Sequence, residues 1–219
     1  EQFMALAIFD LDNTLLAGDS DHAWGEFMAE QNLVDAQYKR QNDQFLEDYR
    51  AGHLDVLRYL EFSIEPLSRY DPDALARLHT EFMQAKIRPM YLDKAAALLE
   101  THRKQGDRLL VMTSTNRFII EPIVRELGIQ EFMATELEMR HGWYTGRIIG
   151  EPCFQAGKVK RLRMWLDRQQ ETMAGSWFYS DSINDLPLLE WVEHPVAVDP
   201  DASLRRTAEN RNWPVISLR

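Results

Sequence analysis

A chain of 219 residues, 45% of them hydrophobic, is long enough for one large domain, or one domain carrying an insertion, around a packed core. Its 35 Asp and Glu residues against 25 Lys and Arg leave a formal net charge of −10, which argues against a protein that binds a nucleic acid backbone. The single cysteine, Cys153, excludes an intramolecular disulfide, and the first apolar run, at 3–9, is too short to cross a bilayer. We therefore expect a cytoplasmic protein without a membrane segment and without an obligate protein partner.

Short apolar runs without alternation mark the strands in chain order. Such runs are typical of strands buried on both faces of a parallel sheet. Helical patterns separate them: 117–127 ends at Gly128, a favourable residue after a helix, and 157–168 carries apolar residues at helical spacing. Strands that alternate with helices predict a doubly wound α/β sheet. The predicted strands are 5–9, 108–113, 176–180, 195–198 and, at an edge, 213–217.

About 95 residues separate the first two runs, far more than one crossover helix needs. Residues 17–90 are almost entirely helical in pattern, and the helix over 71–87 opens with Asp71 as N-cap and Pro72 behind it. We therefore predict a core domain formed by 1–16 and 91–219, and a helical cap domain formed by 17–90. A smaller interruption at 138–150 is a predicted hairpin that turns at His141-Gly142.

Polar clusters follow three of these strands, at the edge where an open α/β sheet places its ligands. "DLDNT" contains Asp10 and Asp12, "TSTN" starts at Thr113, and "SDSIND" contains Asp181 and Asp185. Carboxylates suit Mg²⁺, which would relieve their mutual repulsion, and one carboxylate can attack phosphorus while another protonates the leaving oxygen. Thr113 and backbone N–H groups can bind phosphoryl oxygens, and Lys158 adds a positive charge, although its neighbours Lys160 and Arg161 also allow a solvated helix face.

Together these four motifs, in this order, resemble those of the haloacid dehalogenase superfamily. The helical insertion resembles the C1 cap of that superfamily, and "YSDSINDLPLL" with "PVAVDPDASLR" is most similar to its phosphoserine-phosphatase-like branch, subfamily IB. The resemblance implies a Rossmann-like core and a Mg²⁺-dependent phosphatase that forms an aspartyl-phosphate. Two positions depart from the common pattern: Ser180 stands where Gly is usual, and "TSTN" replaces the "SGG" of phosphoserine phosphatases.

The resemblance also implies a role for each motif residue. Asp10 is then the nucleophile and a metal ligand, and Asp12 is the general acid and base, with its backbone carbonyl on the metal. Asp181 and Asp185 hold the metal or its waters. Thr113, Ser114 and Lys158 bind the phosphate.

The expected partner is a small phosphorylated metabolite. "TSTN" with "GDSD" at 18–21 is similar to histidinol-phosphate phosphatases, so we predict L-histidinol phosphate as the substrate and phosphoserine as the alternative. Both carry an ammonium group that Asp19 can pair, although Asp19 is equally well placed to cap a helix. Asn116 and Asn184, in the clusters after their strands, are the other predicted substrate-binding residues.

Three other functions remain to be weighed. A receiver-type signalling module also places acids, a hydroxyl and a lysine on such a sheet, but it needs neither a general acid at Asp12 nor a 70-residue cap. A catalytically silent relative would have lost motif acids, and none is missing here. A dehalogenase would leave Asp12 without a task, because halide needs no proton.

Overall fold

The protein is described by a computed structural model that covers residues 4–219. The predicted apolar run at 3–9 and the predicted start of the core domain include residues 1–3, which lie outside the described residues. The strands form one sheet in the order β4-β3-β2-β1-β5-β6-β7, in which β4 is antiparallel to its neighbour and the other pairs are parallel. The strands are β1 (Leu6–Phe9), β2 (Arg108–Asn116), β3 (Glu131–Arg140), β4 (Trp143–Ile149), β5 (Trp177–Ser180), β6 (His194–Val198) and β7 (Val215–Ile216).

Helices cover both faces of this sheet, which confirms the predicted α/β class. Successive residues of β1 point to opposite faces, so Ala7 and Phe9 belong to one apolar cluster while Leu6 and Ile8 belong to another. The helices are α1 (Ser20–Glu30), α2 (Ala36–Arg50), α3 (Val56–Ile64), α4 (Pro72–Phe82), α5 (Asp93–Gln105), α6 (Arg117–Glu126), α7 (Ala156–Gln169), α8 (Leu186–Leu189) and α9 (Ala202–Asn210). No helix within residues 4–219 is long and apolar enough to cross a membrane.

The insertion after β1 is helical, as expected, and contains α1 to α4. Asp71 caps α4 by accepting hydrogen bonds from the backbone N–H groups of Asp73 and Ala74. This helix is shorter than the predicted 71–87: the regular α-helix ends at Phe82, and a wider helical turn continues over 83–87. The division into a core domain and a cap domain at residues 17 and 90 stays a prediction.

The hairpin at 138–150 is present and turns at His141-Gly142, but its first strand is longer than predicted. Strand β3 begins at Glu131 and pairs in parallel with β2 through its first half, before it pairs with β4 through its second half. Its mixed sequence, "EFMATELEMR", lacks the apolar run that marks the other central strands. The turn over 65–69, from the inserted helices, packs against β4, so the hairpin links the insertion to the sheet.

Candidate active site

Asp10 stands at the carboxyl end of β1, in the middle of the sheet. Strand β1 lies between β2 and β5, and the backbone N–H of Asp10 donates to the carbonyl of Tyr179 on β5 at 2.9 Å. Asp10 is 7% exposed, and the ammonium of Lys158 lies 2.9 Å from its Oδ1. Burial raises the pKa of Asp10 to about 7; the Lys158 charge opposes this rise, and the charges of Asp185 and Asp12 add to it.

Lys158 joins the first and last acidic motifs. It lies in the first turn of α7, 3% exposed, and its Nζ is 2.9 Å from Asp10 Oδ1 and 2.8 Å from Asp185 Oδ1. Burial alone would lower the pKa of this lysine, but the charges of Asp10 and Asp185 raise it well above its ordinary value. Lys158 is therefore a fixed cation inside the site and not part of a solvated helix face.

Ser180, which replaces the more usual glycine, also takes part in this network. Its hydroxyl donates to Asp185 Oδ2 at 2.7 Å, so Asp185 is held by a serine and a lysine together. Asp185 is 4% exposed and ends the short helical turn that follows β5.

Asp12 is held by two different parts of the chain. Its Oδ1 accepts from the backbone N–H of Ser20 at 2.6 Å, and its Oδ2 accepts from the hydroxyl of Thr115 at 2.7 Å. The residue after Asp12, Asn13, has a φ of 57°, which lies in the left-handed region that asparagine tolerates. Burial, followed by the charge of Asp19, raises the pKa of Asp12 to about 6, while the hydrogen bonds from Ser20 and Thr115 oppose the rise.

Strand β2 supplies the hydroxyl groups of the second motif. Its pairing with β3 shifts register between Met112 and Asn116, and Thr113, Ser114 and Thr115 line the cleft at this irregularity. Thr113 Oγ1 accepts from the backbone N–H of Thr115 at 3.2 Å, and Thr115 in turn holds Asp12.

Asn116 lies outside this cleft. It is fully buried, and its Oδ1 accepts from the backbone N–H of Ile119 at 3.2 Å, which makes it the N-cap of α6. The structure therefore does not bring Asn116 together with the other predicted substrate-binding residues. Asn184 does line the cleft, where its Oδ1 accepts from Gln155 at 3.1 Å.

Asp181 follows β5 and is only weakly held, by the Thr14 hydroxyl 3.3 Å from its Oδ1. Burial raises its pKa well above the usual range, and the charges of Asp10 and Asp185 add to this. Three acids therefore share one lysine at this point of the sheet. That surplus of negative charge, carried by hard oxygen donors, fits a divalent cation.

A cleft of about 770 Å³, counted with its open mouth, lies between these residues and the inserted helices. Its floor is formed by the motif residues Asp10, Asp12, Thr113 and Lys158. Its walls come from the first three inserted helices and the loop before α3, and they are largely apolar and aromatic: Phe45, Leu46, Tyr49, Leu54, Val56, Tyr59 and Leu60.

The start of α1 adds two further acids to the cleft. Asp19 is the N-cap of α1, and its Oδ1 accepts from the backbone N–H of His22 at 2.9 Å. Asp21, the second residue of α1, is 8% exposed. The structure thus shows the capping role of Asp19 that the sequence left open, and it places Asp19 in the cleft as well.

Several of these residues were not singled out from the sequence. Thr115 had a usable signal, because it lies two residues after Thr113 and so on the same side of β2. Asp21 had only its place in the "GDSD" stretch, and Tyr49 had no signal, since its position depends on how the insertion packs over the sheet. The Tyr49 hydroxyl, on α2, donates to Ser182 Oγ at 3.1 Å and so joins the insertion to the last motif.

Comparison with known proteins agrees with this geometry. Residues 7–190 match the haloacid dehalogenase-like hydrolase family. A histidinol-phosphatase of Neisseria meningitidis serogroup C is 45% identical over 98% of this chain and 99% of its own length. A crystal structure of a protein of unknown function from Bordetella pertussis Tohama I is 41% identical, with a TM-score of 0.93 over 99% of this chain and 100% of that one.

A substrate-bound phosphoserine phosphatase has the same fold, with a TM-score of 0.73 at 15% identity over 100% of this chain and 95% of its own. The family match spans all four motifs, from β1 to the residues after β5. The chain therefore belongs to the haloacid dehalogenase-like hydrolase family.

Proposed function

We propose that this chain is a magnesium-dependent phosphatase that hydrolyses L-histidinol phosphate through an aspartyl-phosphate on Asp10. Its assignment as a phosphatase of a small phosphorylated substrate follows from the family and from the whole-length similarity to a histidinol-phosphatase. The substrate, the metal and the intermediate are the parts that we propose.

The negative charge of the cleft is the observation that favours histidinol phosphate over phosphoserine. Among the described residues that line it are five carboxylates, Asp10, Asp12, Asp19, Asp21 and Asp185, and a single lysine, Lys158, which Asp10 and Asp185 already occupy. Phosphoserine carries a carboxylate as well as a phosphate, and that carboxylate would face acids with no free lysine or arginine in the described lining. Histidinol phosphate carries an ammonium group and an imidazole ring but no carboxylate, so it suits this cleft better.

The chemistry that we propose uses the two acids of the first motif. A carboxylate oxygen of Asp10 forms a bond to phosphorus while the bond from phosphorus to the alkoxide oxygen breaks, and that oxygen takes the proton of Asp12. Asp12, now ionised, then removes a proton from water as the water oxygen attacks phosphorus. This second step releases inorganic phosphate and restores the carboxylate of Asp10.

The other residues position the substrate and its charge. Lys158 and Asp185 orient the Asp10 carboxylate, Thr113 and Ser114 are proposed to hold phosphoryl oxygens, and Asn184 is proposed to contact the substrate. Haloacid dehalogenase-like phosphatases generally use Mg²⁺. When bound by Asp10, the Asp12 carbonyl and Asp181, with Asp185 behind, Mg²⁺ would supply positive charge for the phosphate and neutralise the acids.

A substrate screen tests this proposal. Purified enzyme with Mg²⁺ is assayed for phosphate release from histidinol phosphate, phosphoserine, phosphoethanolamine and glycerol 3-phosphate. We expect the highest kcat/KM for histidinol phosphate. A higher value for any of the other three esters contradicts the proposed substrate, and phosphate uptake without repeated turnover would instead favour a signalling module.

A further inference from the structure

Asp21 differs from the other acids of the cleft in what surrounds it. It is the second residue of α1, 8% exposed, and its Oδ1 is buried without a hydrogen-bond partner. The Tyr59 hydroxyl, from α3, is the hydrogen-bonding neighbour of the carboxyl group. No lysine or arginine within residues 4–219 forms an ion pair with Asp21, and the nearby charges of Asp19 and Asp12 repel it.

The two neighbouring acids already have partners. Asp12 accepts from Ser20 and Thr115 with its two carboxylate oxygens, and Asp19 accepts from the backbone at the start of α1. Lys158 is shared by Asp10 and Asp185. Asp21 therefore keeps a buried oxygen with free acceptor capacity in the wall of the cleft.

A buried carboxylate oxygen without a donor destabilises the protein that contains it, and such a group is retained where a ligand completes its hydrogen bonds. The missing partner must be a hydrogen-bond donor, because a carboxylate only accepts, and the negative charge of the carboxylate favours a cationic donor over a neutral one. It must also be compact, because Phe45, Tyr59 and Leu60 form the apolar wall of the same cleft. A primary ammonium group meets these conditions.

We infer that Asp21 binds the ammonium group of the substrate and that Asp19 mainly shapes the helix beside it. This inference rests on the proposed function, since it names the residue that selects an amine-bearing phosphate ester. Asp21 acts on specificity and does not touch the reacting phosphate, which lies with Asp10 and Lys158 at the floor of the cleft.

The test compares two substrates in variants of the full chain. Asp21→Asn keeps the shape of the side chain and removes its charge, Asp21→Ser serves in its place if the asparagine variant does not fold, and Asp73→Asn removes an exposed acid at the start of α4 as the matched control. The readout is kcat/KM for histidinol phosphate divided by kcat/KM for p-nitrophenyl phosphate, which has no amine.

We expect Asp21→Asn to lower this ratio at least about tenfold, as the loss of a charge-assisted hydrogen bond would, chiefly through a higher KM for histidinol phosphate. We expect Asp73→Asn to leave the ratio unchanged and the melting temperature of Asp21→Asn to equal or exceed that of the wild type. An unchanged ratio overturns the inference, as does an equal fall on both substrates together with a lower melting temperature, which a merely structural role predicts.

The same data separate this inference from the proposed substrate. If the wild type prefers phosphoserine or phosphoethanolamine to histidinol phosphate, the proposed substrate is wrong. The role of Asp21 is then tested with the preferred ester, whose kcat/KM relative to that of p-nitrophenyl phosphate should fall in Asp21→Asn. If the wild type prefers no amine-bearing ester to p-nitrophenyl phosphate, both are wrong. If the wild type prefers histidinol phosphate and Asp21→Asn keeps that preference, only the inference is wrong.

Discussion

Asp10 and Asp12 are two residues apart but have opposite environments. Asp10 contacts a buried cation, Lys158, whereas Asp12 contacts only neutral donors, Ser20 and Thr115. The charge of Lys158 opposes the rise that burial gives the pKa of Asp10, which favours the carboxylate that a nucleophile needs, and burial raises the pKa of Asp12 to about 6, so that Asp12 can hold a proton in mildly acidic solution. These contacts support the two roles proposed for Asp10 and Asp12.

Replacing either acid by asparagine separates these roles. We expect Asp10→Asn to have no measurable turnover of p-nitrophenyl phosphate, because an amide does not displace the leaving group. We expect Asp12→Asn to lose at least about 100-fold in kcat for histidinol phosphate, the usual contribution of general acid catalysis. Circular dichroism of both variants checks the fold. Measurable turnover by folded Asp10→Asn would contradict the mechanism.

The raised pKa of Asp12 also predicts a pH profile. The proton that Asp12 must donate is lost as the pH rises through about 6, so kcat/KM for histidinol phosphate should fall above that pH. The fall should be shallower for p-nitrophenyl phosphate, whose leaving group needs little protonation. The hydrogen bond from Thr115 favours the ionised form of Asp12. Thr115→Val should therefore raise the pKa of Asp12 and move the fall in kcat/KM to higher pH. An equally steep fall of kcat/KM with pH for both substrates would exclude Asp12 as the proton donor.

At the scale of elements, the start of α1 links the insertion to the chemistry. Asp19 caps the helix, and the next residue, Ser20, donates its backbone N–H to Asp12. The position of Asp12 thus depends on a helix end that belongs to the insertion. A change in this cap should affect every substrate in the same way.

Asp19→Ala tests this dependence. We expect a loss of about 1 kcal/mol in the free energy of unfolding, as for other lost N-caps, and similar decreases in kcat/KM for histidinol phosphate and p-nitrophenyl phosphate. Asp19→Ser restores a capping oxygen without the charge and should recover most of both losses. A selective loss on histidinol phosphate that serine does not recover would instead give Asp19 the substrate-binding role first predicted for it.

The contact between Tyr49 of α2 and Ser182 is the second link between the insertion and the motifs. Tyr49→Phe removes that hydrogen bond and should lower kcat/KM about two- to tenfold on both substrates, as the loss of one net hydrogen bond would. Tyr70→Phe is the matched control, because the Tyr70 hydroxyl donates to Leu33 within the insertion. Stability should fall for Tyr70→Phe, with kcat/KM unchanged. Equal kinetic losses in the two variants would contradict a special role for the Tyr49 contact.

For the whole molecule, the clustered acids couple metal binding to stability. The pKa of Asp10 rises from 3.8 to about 7 and that of Asp181 also rises, so the folded chain without metal holds protons that the unfolded chain releases. The stabilisation of the fold by the protonated form of Asp10 is complete below about pH 4 and is lost as the pH rises through about 7. A divalent cation that replaces those protons should stabilise the fold most at the higher pH.

Thermal unfolding of chelator-treated protein checks this coupling. We expect added Mg²⁺ to raise the melting temperature more at pH 8 than at pH 5, and we expect Asp181→Asn to reduce that rise. The control is Asp73→Asn, which should keep it. A rise that is equal at both pH values would contradict the link between these acids and the metal.

Elements with local signals could be predicted from the amino-acid sequence alone. The short apolar run at β1, the N-cap of α4 at Asp71 and the turn at His141-Gly142 all depend on residues within a few positions of one another. The sequence also predicted that the acidic motifs meet at one sheet edge, because parallel strands joined by helices leave all their carboxyl ends on the same side. Asp10 was predicted at that edge on this ground, whereas the place of Lys158, 148 positions away and on a helix, followed from the resemblance of the four motifs.

Which atoms form hydrogen bonds and ion pairs at this sheet edge depends on the tertiary structure. Strand β3 was missed as a sheet member because its polar residues are accommodated by pairing with β2 and β4 in turn. Asn116 caps α6 by accepting from the backbone N–H of Ile119 and lies outside the cleft lining, and Asp21 lies beside Tyr59 of α3 with a buried oxygen that has no hydrogen-bond partner. These outcomes depend on contacts between distant segments, whose partners no local pattern specifies, and so the sequence predicted the phosphatase family more completely than the side-chain contacts in the cleft.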